Sequence, residues 1–243
     1  MPRFFARLAR RSFIALMLAG SALITLYSLP YLDLDELPAF VIEKLPVRFE
    51  SLWLWSLRVH VASAALSFPL CLLLLTRWLQ RRAAWHRGLG RAAGGLVLVG
   101  LVPSGSVLAF DAKGGTVVTV GFLLSAALVG WGMVSGILAA RRRDFPAHRR
   151  GMRHVVGQMS VAVVSRVMLV GLDLAGMGPE LAYLVALWIP VLAIALAAEL
   201  LDARTSPFVH LVSTSLERMR REASTLSLVP VRSVRHLVAR PGR

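Results

Sequence analysis

The sequence predicts an all-α, polytopic membrane protein with six transmembrane helices. Hydrophobic residues make up 56% of its 243 residues, the mean hydropathy is +0.66, and the apolar residues form long blocks. Such blocks are typical of lipid-spanning helices rather than of a soluble core. Arginines gather in alternate connections between the blocks, and a His-Arg-x-x-x-Arg motif occurs twice, starting at His86 and at His148. Together these features predict a helical bundle whose orientation is set by charge.

Six apolar stretches are long enough to cross a bilayer, at residues 13–31, 52–75, 92–110, 116–140, 154–174 and 181–201. They predict one membrane domain over residues 1–201 and a basic tail over residues 202–243. A cleaved signal peptide is the alternative for the first stretch, but its apolar run is long and no small-residue cleavage site closes it. The connection before the second stretch is acidic, and its two prolines break any long helix there.

The distribution of charge predicts the orientation of the protein. Of the 28 Lys and Arg residues, 23 lie in the amino-terminal segment, the second and fourth connections and the tail. Eight of the 13 acidic residues lie on the opposite side. This asymmetry predicts that both termini are cytoplasmic, in the plasma (inner) membrane of a bacterium. The net charge of +15 is therefore interpreted as a determinant of topology that contacts anionic lipid head groups, and not as a nucleic-acid surface.

The repeated motif predicts an internal duplication. A shift of 62 positions aligns the motif at His86 with the motif at His148. Residues 52–110 and 116–174 are then two hairpins of the same orientation, related about an axis along the membrane normal. We expect these four spans to form a four-helix core, with the first and last spans beside it.

The two motifs lie in predicted basic loops, and they allow two interpretations. In the first, the loops are cytoplasmic anchors whose arginines bind lipid phosphates, namely Arg87, Arg91, Arg149 and Arg153. In the second, His86 shares the iron of a b-type haem with His148 or His154. No second haem is predicted in the opposite leaflet, because the repeat aligns His60 with Phe122. The charge distribution favours the anchor.

A second group of polar residues is predicted near the opposite face of the membrane. At ~1.5 Å per residue, His60 and Arg166 both lie roughly 10 Å below that face. A charged arginine at this depth must face the bundle interior or a wet cavity and find an anion. We expect Asp173, two turns further along the same helix, or Asp111 to supply it, with Ser104 adding a hydroxyl group. The group is interpreted as an outward-facing ligand site, and the alternative is a structural Arg–Asp pair.

Several of these residues occur at characteristic places in the spans. They are His60, the segments His86 to Arg91 and His148 to Arg153, Arg166, and the series Tyr183, Trp188, Pro190 and Glu199. This pattern resembles a bacterial family of predicted membrane proteins called "domain of unknown function 2306", over roughly residues 30–200. Gly151 and Val191 stand where that family usually has Trp and Asn. The family has no established activity, so the resemblance implies the architecture alone.

The sequence therefore predicts a membrane protein that binds a small anionic or quinone-like ligand around His60 and Arg166, without a cofactor. One alternative is a redox protein with a single b-type haem. Another is a small transporter in which the two repeats rock about the level of that site. No nucleophile–base pair, phosphate-binding glycine loop or metal-ligand cluster of recognised spacing is present, so no catalysis and no metal site are predicted. The sequence indicates neither the oligomeric state nor the identity of the ligand.

Overall fold

The computed structural model describes residues 2–203, and side chains from residue 8 to residue 200. Its helices are α1 (Pro2–Ser28), α2 (Ala39–Lys44), α3 (Glu50–Leu74), α4 (Arg77–Gln80), α5 (Ala83–Gly95), α6 (Val102–Phe110), α7 (Gly115–Arg141), α8 (Phe145–Leu174) and α9 (Pro179–Ala203). A 3₁₀ turn, Leu29–Leu32, follows α1, and a π-helical segment, Leu96–Leu101, joins α5 to α6. No strand occurs within the described range, so the predicted all-α class is confirmed. The predicted tail lies, from residue 204 onward, outside the described residues.

The predicted number of spans is confirmed. Six stretches are long and apolar enough to cross a membrane: Leu8–Leu32, Glu50–Leu74, Ala83–Phe110, Gly115–Arg141, Phe145–Leu174 and Pro179–Leu200. We call the end of the bundle that holds the α3–α5 and α7–α8 connections the basic end. The end that holds the α1–α3, α6–α7 and α8–α9 connections is called the acidic end.

The two predicted basic loops are helical, which corrects the sequence-based interpretation. Both α5 and α8 begin three residues before the histidine of the motif, so His86 and His148 lie in the first turn of a helix. The side chain of Asp144 caps α8 by accepting a hydrogen bond from the Ala147 amide at 3.0 Å. A hydropathy profile does not predict that these turns are helical. Arginine forms helices readily, but it is unfavourable in the hydrocarbon core and therefore lowers the hydropathy of the segment. The motifs therefore continue the spans beyond their apolar blocks.

The third span is irregular at its centre, where the π-helical segment Leu96–Leu101 separates α5 from α6. Pro103 follows immediately; it lacks an N–H group, and its ring crowds the carbonyl four residues earlier. The hydroxyl of Ser104 donates to the Gly100 carbonyl at 2.6 Å and so satisfies an oxygen within the segment. π-Helical turns are uncommon and often adjoin functional sites.

Buried side chains form two clusters that together draw on all six spans. The larger cluster joins α1, α3, α5, the π segment, α7 and α8, with Met17 of α1 and Leu72 of α3 among its members. The smaller cluster joins α7, α8 and α9 through Val118, Val161 and Val191, among others. Because α1 and α9 both contribute, they are part of the packed core. The grouping of spans two to five as a separate four-helix core stays a prediction.

Helices α7 and α8 make direct backbone contact through glycines. A Cβ atom on Gly151 would lie 2.6 Å from the carbonyl oxygen of Gly132 and 2.8 Å from Cα of Gly136. These separations are shorter than a carbon atom tolerates, so only glycine fits at position 151. Small residues at four-residue spacing are a general means of bringing membrane helices close together.

A buried amide links the same region to α9. Gln158 is 2% exposed. Its Oε1 accepts a hydrogen bond from the Ser125 hydroxyl at 3.2 Å, and its Nε2 donates to the Val191 carbonyl at 3.0 Å. Because hydrocarbon offers no alternative partners, such a pair of bonds favours one register of the three helices.

Candidate functional site

His60 is held on α3 against the irregular part of the third span. Its Nδ1 lies 3.4 Å from the hydroxyl of Ser104, and the ring also interacts with the backbone of Leu101. A Cβ atom on Gly105 would come within 3.0 Å of the imidazole ring. The π segment and the glycine after it therefore make room for this histidine and supply its polar contacts.

Arg166 lies within electrostatic range of His60, as well as of Tyr31 and Tyr183. Its side chain is exposed at the surface of the helical bundle, and its Nη1 donates to the carbonyl of Ala162 at 2.8 Å. Among the side chains that the structure describes, no carboxylate pairs with Arg166. We call His60, Ser104, Arg166 and Tyr183 the polar cluster.

The expected ion pair between Arg166 and an aspartate is not formed. Helical side chains point toward the amino terminus of their helix, so Arg166 reaches back to Ala162. Asp173 lies two turns in the other direction and is exposed, and Asp111 follows the last residue of α6. Both aspartates instead line a pocket nearer the acidic end.

This acidic-end pocket has a volume of about 680 Å³ and lies beside the polar cluster. Its walls come from α2, α3, α6, α7, α8, α9 and the α6–α7 turn. Four aromatic side chains line it: Phe40, Trp53, Phe122 and Tyr183. Four charged side chains also line it: Lys44, Asp111, Lys113 and Asp173. Tyr183 lines the pocket and also belongs to the polar cluster, so it links the two features.

The short helix α2 forms one side of this pocket and is tied to the α6–α7 turn. The ammonium group of Lys113 donates to Oε1 of Glu43 at 2.5 Å. This contact lowers the pKa of the Glu43 carboxyl below its ordinary value, mainly through the hydrogen bond and next through the positive charge. Lys113 also lies over the ring of Phe40, 5.9 Å from its centroid.

At the basic end, the three predicted haem ligands have different surroundings. His148 Nδ1 lies 2.9 Å from the Gly136 carbonyl oxygen, and His86 is within electrostatic range of His148. His154 is 2% exposed, and its Nε2 lies 2.9 Å from Oε1 of Glu199. The structure thus brings His86 and His148 into range of each other, and it places His154 in a contact with α9.

The carboxylate of Glu199 also pairs with the guanidinium of Arg150. Three of the predicted anchor arginines, Arg87, Arg91 and Arg149, are exposed at this end, and Arg153 is half-buried. The ring of Trp131 meets that of His154 edge to face, with centroids 5.6 Å apart. The basic end therefore combines exposed arginines with a contact between the buried His154 of α8 and the partly exposed Glu199 of α9.

Three residues that line or brace these sites were not predicted: Trp53, Gln158 and Tyr183. Gln158 carries a detectable signal, because an amide in the middle of an apolar span is costly without partners. Trp53 stands near the end of a span, where a tryptophan is ordinarily an interfacial anchor. Tyr183 has no such signal, since a tyrosine near a span end is ordinary.

A family model described as "Predicted membrane protein (DUF2306)" matches residues 57–202, which include the whole polar cluster and both His-Arg motifs. No curated protein and no solved structure matches the chain. The match extends over more than half of the sequence, and the chain therefore belongs to the DUF2306 family of predicted membrane proteins.

Proposed function

We propose that this membrane protein binds a small anionic or quinone-like ligand at the polar cluster. The observation that carries the proposal is the position of Arg166. Arg166 is an exposed residue of a membrane-spanning helix, and within the described residues no carboxylate pairs with it. Asp173 and Asp111, the two acids expected to pair with it, line the adjoining pocket instead.

The depth of Arg166 makes an unpaired charge costly. It lies eight residues before the end of α8, or about 12 Å from the acidic end at ~1.5 Å per residue. Charged side chains at such depths are rare in membrane helices and usually face a partner or a wet cavity. A bound acceptor, whether a carboxylate, a phosphate or a polarised carbonyl, is the partner that this position lacks.

The neighbours of Arg166 are suited to such a ligand. His60 and Tyr183 add hydrogen-bond donors on two other helices, α3 and α9. Ser104 and the backbone of Leu101 contact the imidazole of His60. The three groups come from three helices, and one of them, Tyr183, also lines the aromatic-walled pocket. A few convergent polar groups beside an apolar pocket is the usual form of a small-molecule site.

The test is Arg166→Leu in protein reconstituted in nanodiscs, with 2-methyl-1,4-naphthoquinone and inorganic phosphate as probes. We expect the affinity for the bound probe to fall at least about tenfold, because a hydrogen bond to a charged group is lost. The melting temperature without probe should change little, since no acid is left unpaired in the described part of the chain. Arg149→Leu, an exposed arginine at the basic end of the same helix, is the matched control.

Two results contradict the proposal. One is unchanged binding of both probes in the Arg166 variant. The other is a large fall in melting temperature without probe, which would mean that Arg166 holds the bundle together.

A second candidate is a single b-type haem between His86 and His148. Because a carbonyl oxygen only accepts, Nδ1 of His148 carries the proton toward Gly136, and the lone pair lies on Nε2. A backbone carbonyl that orients a histidine in this way is common behind metal-bound imidazoles. His154 is less suited because its Nε2 faces Glu199. Absorption spectra of oxidised and reduced protein from haem-replete cells test this candidate, and a colourless preparation contradicts it.

A further inference from the structure

We infer that the acidic-end pocket binds an organic ammonium ion, with Asp111 and Asp173 as its counter-charges and aromatic side chains as its walls. The inference goes beyond the proposed function, which concerns an acceptor held near Arg166. It rests on the lining of the pocket, and of the polar cluster only Tyr183 belongs to that lining.

The first observation is the charge of the lining. Asp111 and Asp173 both line the pocket, and neither has an ion-pair partner among the side chains that the structure describes. Of the two lysines in the lining, Lys113 is paired with Glu43, which leaves Lys44 against two carboxylates. The lining therefore carries net negative charge, which a bound cation neutralises.

The second observation is the aromatic character of the walls. Phe40, Trp53, Phe122 and Tyr183 all line the pocket. Aromatic rings attract ammonium ions that lie within about 6 Å of their centroids, and quaternary ammonium ligands are recognised in this way. The pocket already holds one such contact, since the ammonium group of Lys113 lies 5.9 Å from the centroid of Phe40. The walls are therefore of a kind that accepts an ammonium group.

The size and polarity of the pocket favour an organic cation over a metal ion. The volume of about 680 Å³ falls within the range of small-molecule sites, ~300–1,000 Å³. Eleven of the fifteen lining residues carry no charge. Calcium takes six or more oxygen ligands, and within the described range no three His, Cys, Asp or Glu side chains gather as a metal site requires. A cation whose nitrogen carries apolar groups makes use of both the carboxylates and the apolar walls.

The charge around the pocket acts in the same direction. Eight acidic side chains lie at the acidic end, against five basic ones, namely Lys44, Arg48, Arg58, Lys113 and Arg166. An excess of one sign of charge around a cleft raises the local concentration of ligands of the opposite sign. An organic cation is therefore attracted to this end of the bundle, whereas a small anion is repelled from the pocket.

The test compares three probes that share a phenyl ring and differ in charge: benzyltrimethylammonium, benzyl alcohol and benzoate. Binding is measured by equilibrium dialysis of the protein in uncharged maltoside micelles. The salt concentration is about 0.15 M, at which exposed charges more than ~8 Å apart are largely screened. We expect the cation to bind more tightly than benzyl alcohol, and benzoate to bind least.

Asp173→Asn, with Glu180→Gln as the matched control, tests the counter-charge. Asp173 lines the pocket, whereas Glu180 is an exposed acid in the first turn of α9 and does not. The affinity for benzyltrimethylammonium should fall about two- to fivefold in the Asp173 variant, the range of a partly exposed ion pair, and should not change in the control. The melting temperature without probe should be unchanged in both, because neither carboxylate has an ion-pair partner in the described part of the chain.

Lys44→Gln gives an independent answer of the opposite sign. Removing the positive charge that opposes the ligand should raise the affinity for benzyltrimethylammonium by a similar factor and lower the affinity for benzoate. A pocket that selects its ligand by apolar contact alone predicts no change for either probe.

Competition distinguishes the two sources of an ammonium group, which are lipid head groups and soluble compounds. Displacement of benzyltrimethylammonium by dihexanoylphosphatidylcholine, and not by dihexanoylphosphatidylglycerol, assigns the pocket to a lipid head group. Displacement by choline chloride, and not by either lipid, assigns it to a soluble ammonium compound.

The outcomes separate this inference from the proposed function. Equal affinity for benzyltrimethylammonium in wild type, Asp173→Asn and Lys44→Gln overturns the inference, as does tighter binding of benzyl alcohol or benzoate. The proposed function still stands in that case if naphthoquinone or phosphate binding depends on Arg166. Conversely, charge-dependent binding of the cation supports the inference even where Arg166→Leu leaves the binding of both other probes unchanged.

Discussion

Gly151 is a single residue on which the close packing of α7 and α8 depends. It stands where the family pattern usually has tryptophan, and a departure of that kind suggests a lost function. The contacts indicate a packing role instead, because the backbone of α7 occupies the space that any side chain needs. Backbone atoms cannot rotate away as a flexible side chain can, so a larger residue forces the helices apart.

Gly151→Ala should therefore destabilise the protein by about 1–3 kcal/mol, the usual cost of overpacking. Gly171→Ala is the control on the same helix, since a Cβ atom there meets nothing within 4 Å. Alanine at position 171 should leave stability unchanged or raise it by about 0.5–1 kcal/mol. Unfolding by heat in detergent, followed by circular dichroism, measures both. Equal melting temperatures for the two variants would show that the close approach of α7 and α8 does not make the stability of the protein sensitive to a side chain at position 151.

At the residue scale, counting along the spans relates His60 to Arg166 but does not predict the direction in which the arginine side chain points. Counting residues along each span put His60 and Arg166 at the same level, and the structure brings them into electrostatic range. The partner of Arg166 was not predictable from spacing. A two-turn separation places Asp173 near the same face, but the arginine side chain leans toward the amino terminus of α8 and away from it.

At the scale of elements, α2 is the part whose position depends most on one contact. The Glu43–Lys113 pair joins it to the α6–α7 turn, and both elements line the acidic-end pocket. Only Val41 of this six-residue helix is buried, so little apolar packing supports it. Both partners of the pair are largely exposed, and exposed pairs are weak and sensitive to salt.

Glu43→Gln should loosen α2 without unfolding the bundle. We expect faster hydrogen–deuterium exchange of the amides of residues 41–45 at neutral pH, with no change in α7 or α8. Because the folded-state pKa of Glu43 is lowered, the ion pair is present above the ordinary carboxylate pKa and is lost as pH falls through the lowered value. The difference between wild type and variant should therefore shrink at acid pH. Exchange that also increases in Glu36→Gln, whose carboxylate makes no such pair, would contradict this role for Glu43.

The elements themselves were predictable to different extents. The apolar cores of all six spans follow from hydropathy, because hydrocarbon admits few other sequences. The starts of α5 and α8 do not follow, because the arginines of the two motifs separate the first turns of these helices from the apolar stretches. The π segment does not follow either. Pro103 indicates a disturbance, but the sequence does not say whether a kink or a wider turn absorbs it.

At the scale of the whole molecule, an even number of spans places both ends of the membrane domain on the same side. The charge distribution predicts that this side is the cytoplasm. Reporter fusions test it: a fluorescent protein fused to either terminus should be active, and alkaline phosphatase inserted at Lys113 should be active. Alkaline phosphatase inserted at Arg143, in the α7–α8 connection, should be inactive. Activity in the reverse pattern would invert the orientation and place the polar cluster near the cytoplasm.

Fold class and family follow from the sequence because both depend on features repeated over the whole chain. The acidic-end pocket cannot be predicted from the sequence, because its lining comes from seven separate elements and no local sequence pattern indicates it. Trp53 illustrates the point. From the sequence it is one of two tryptophans near a span end, and only packing reveals that it is buried while Trp55 is exposed.

The π-helical segment also determines how relatives of this protein should be compared. A π turn takes in one residue more than an α turn, so every side chain after Leu101 is rotated by about 100° from where a regular helix would put it. Ser104 and Asp111 reach the polar cluster and the pocket with that extra residue in place. The span behaves as though one residue had been inserted. A relative with a single-residue gap between positions 96 and 101 keeps its hydropathy and its motifs, yet presents a different face to His60, and we expect it to bind a different ligand.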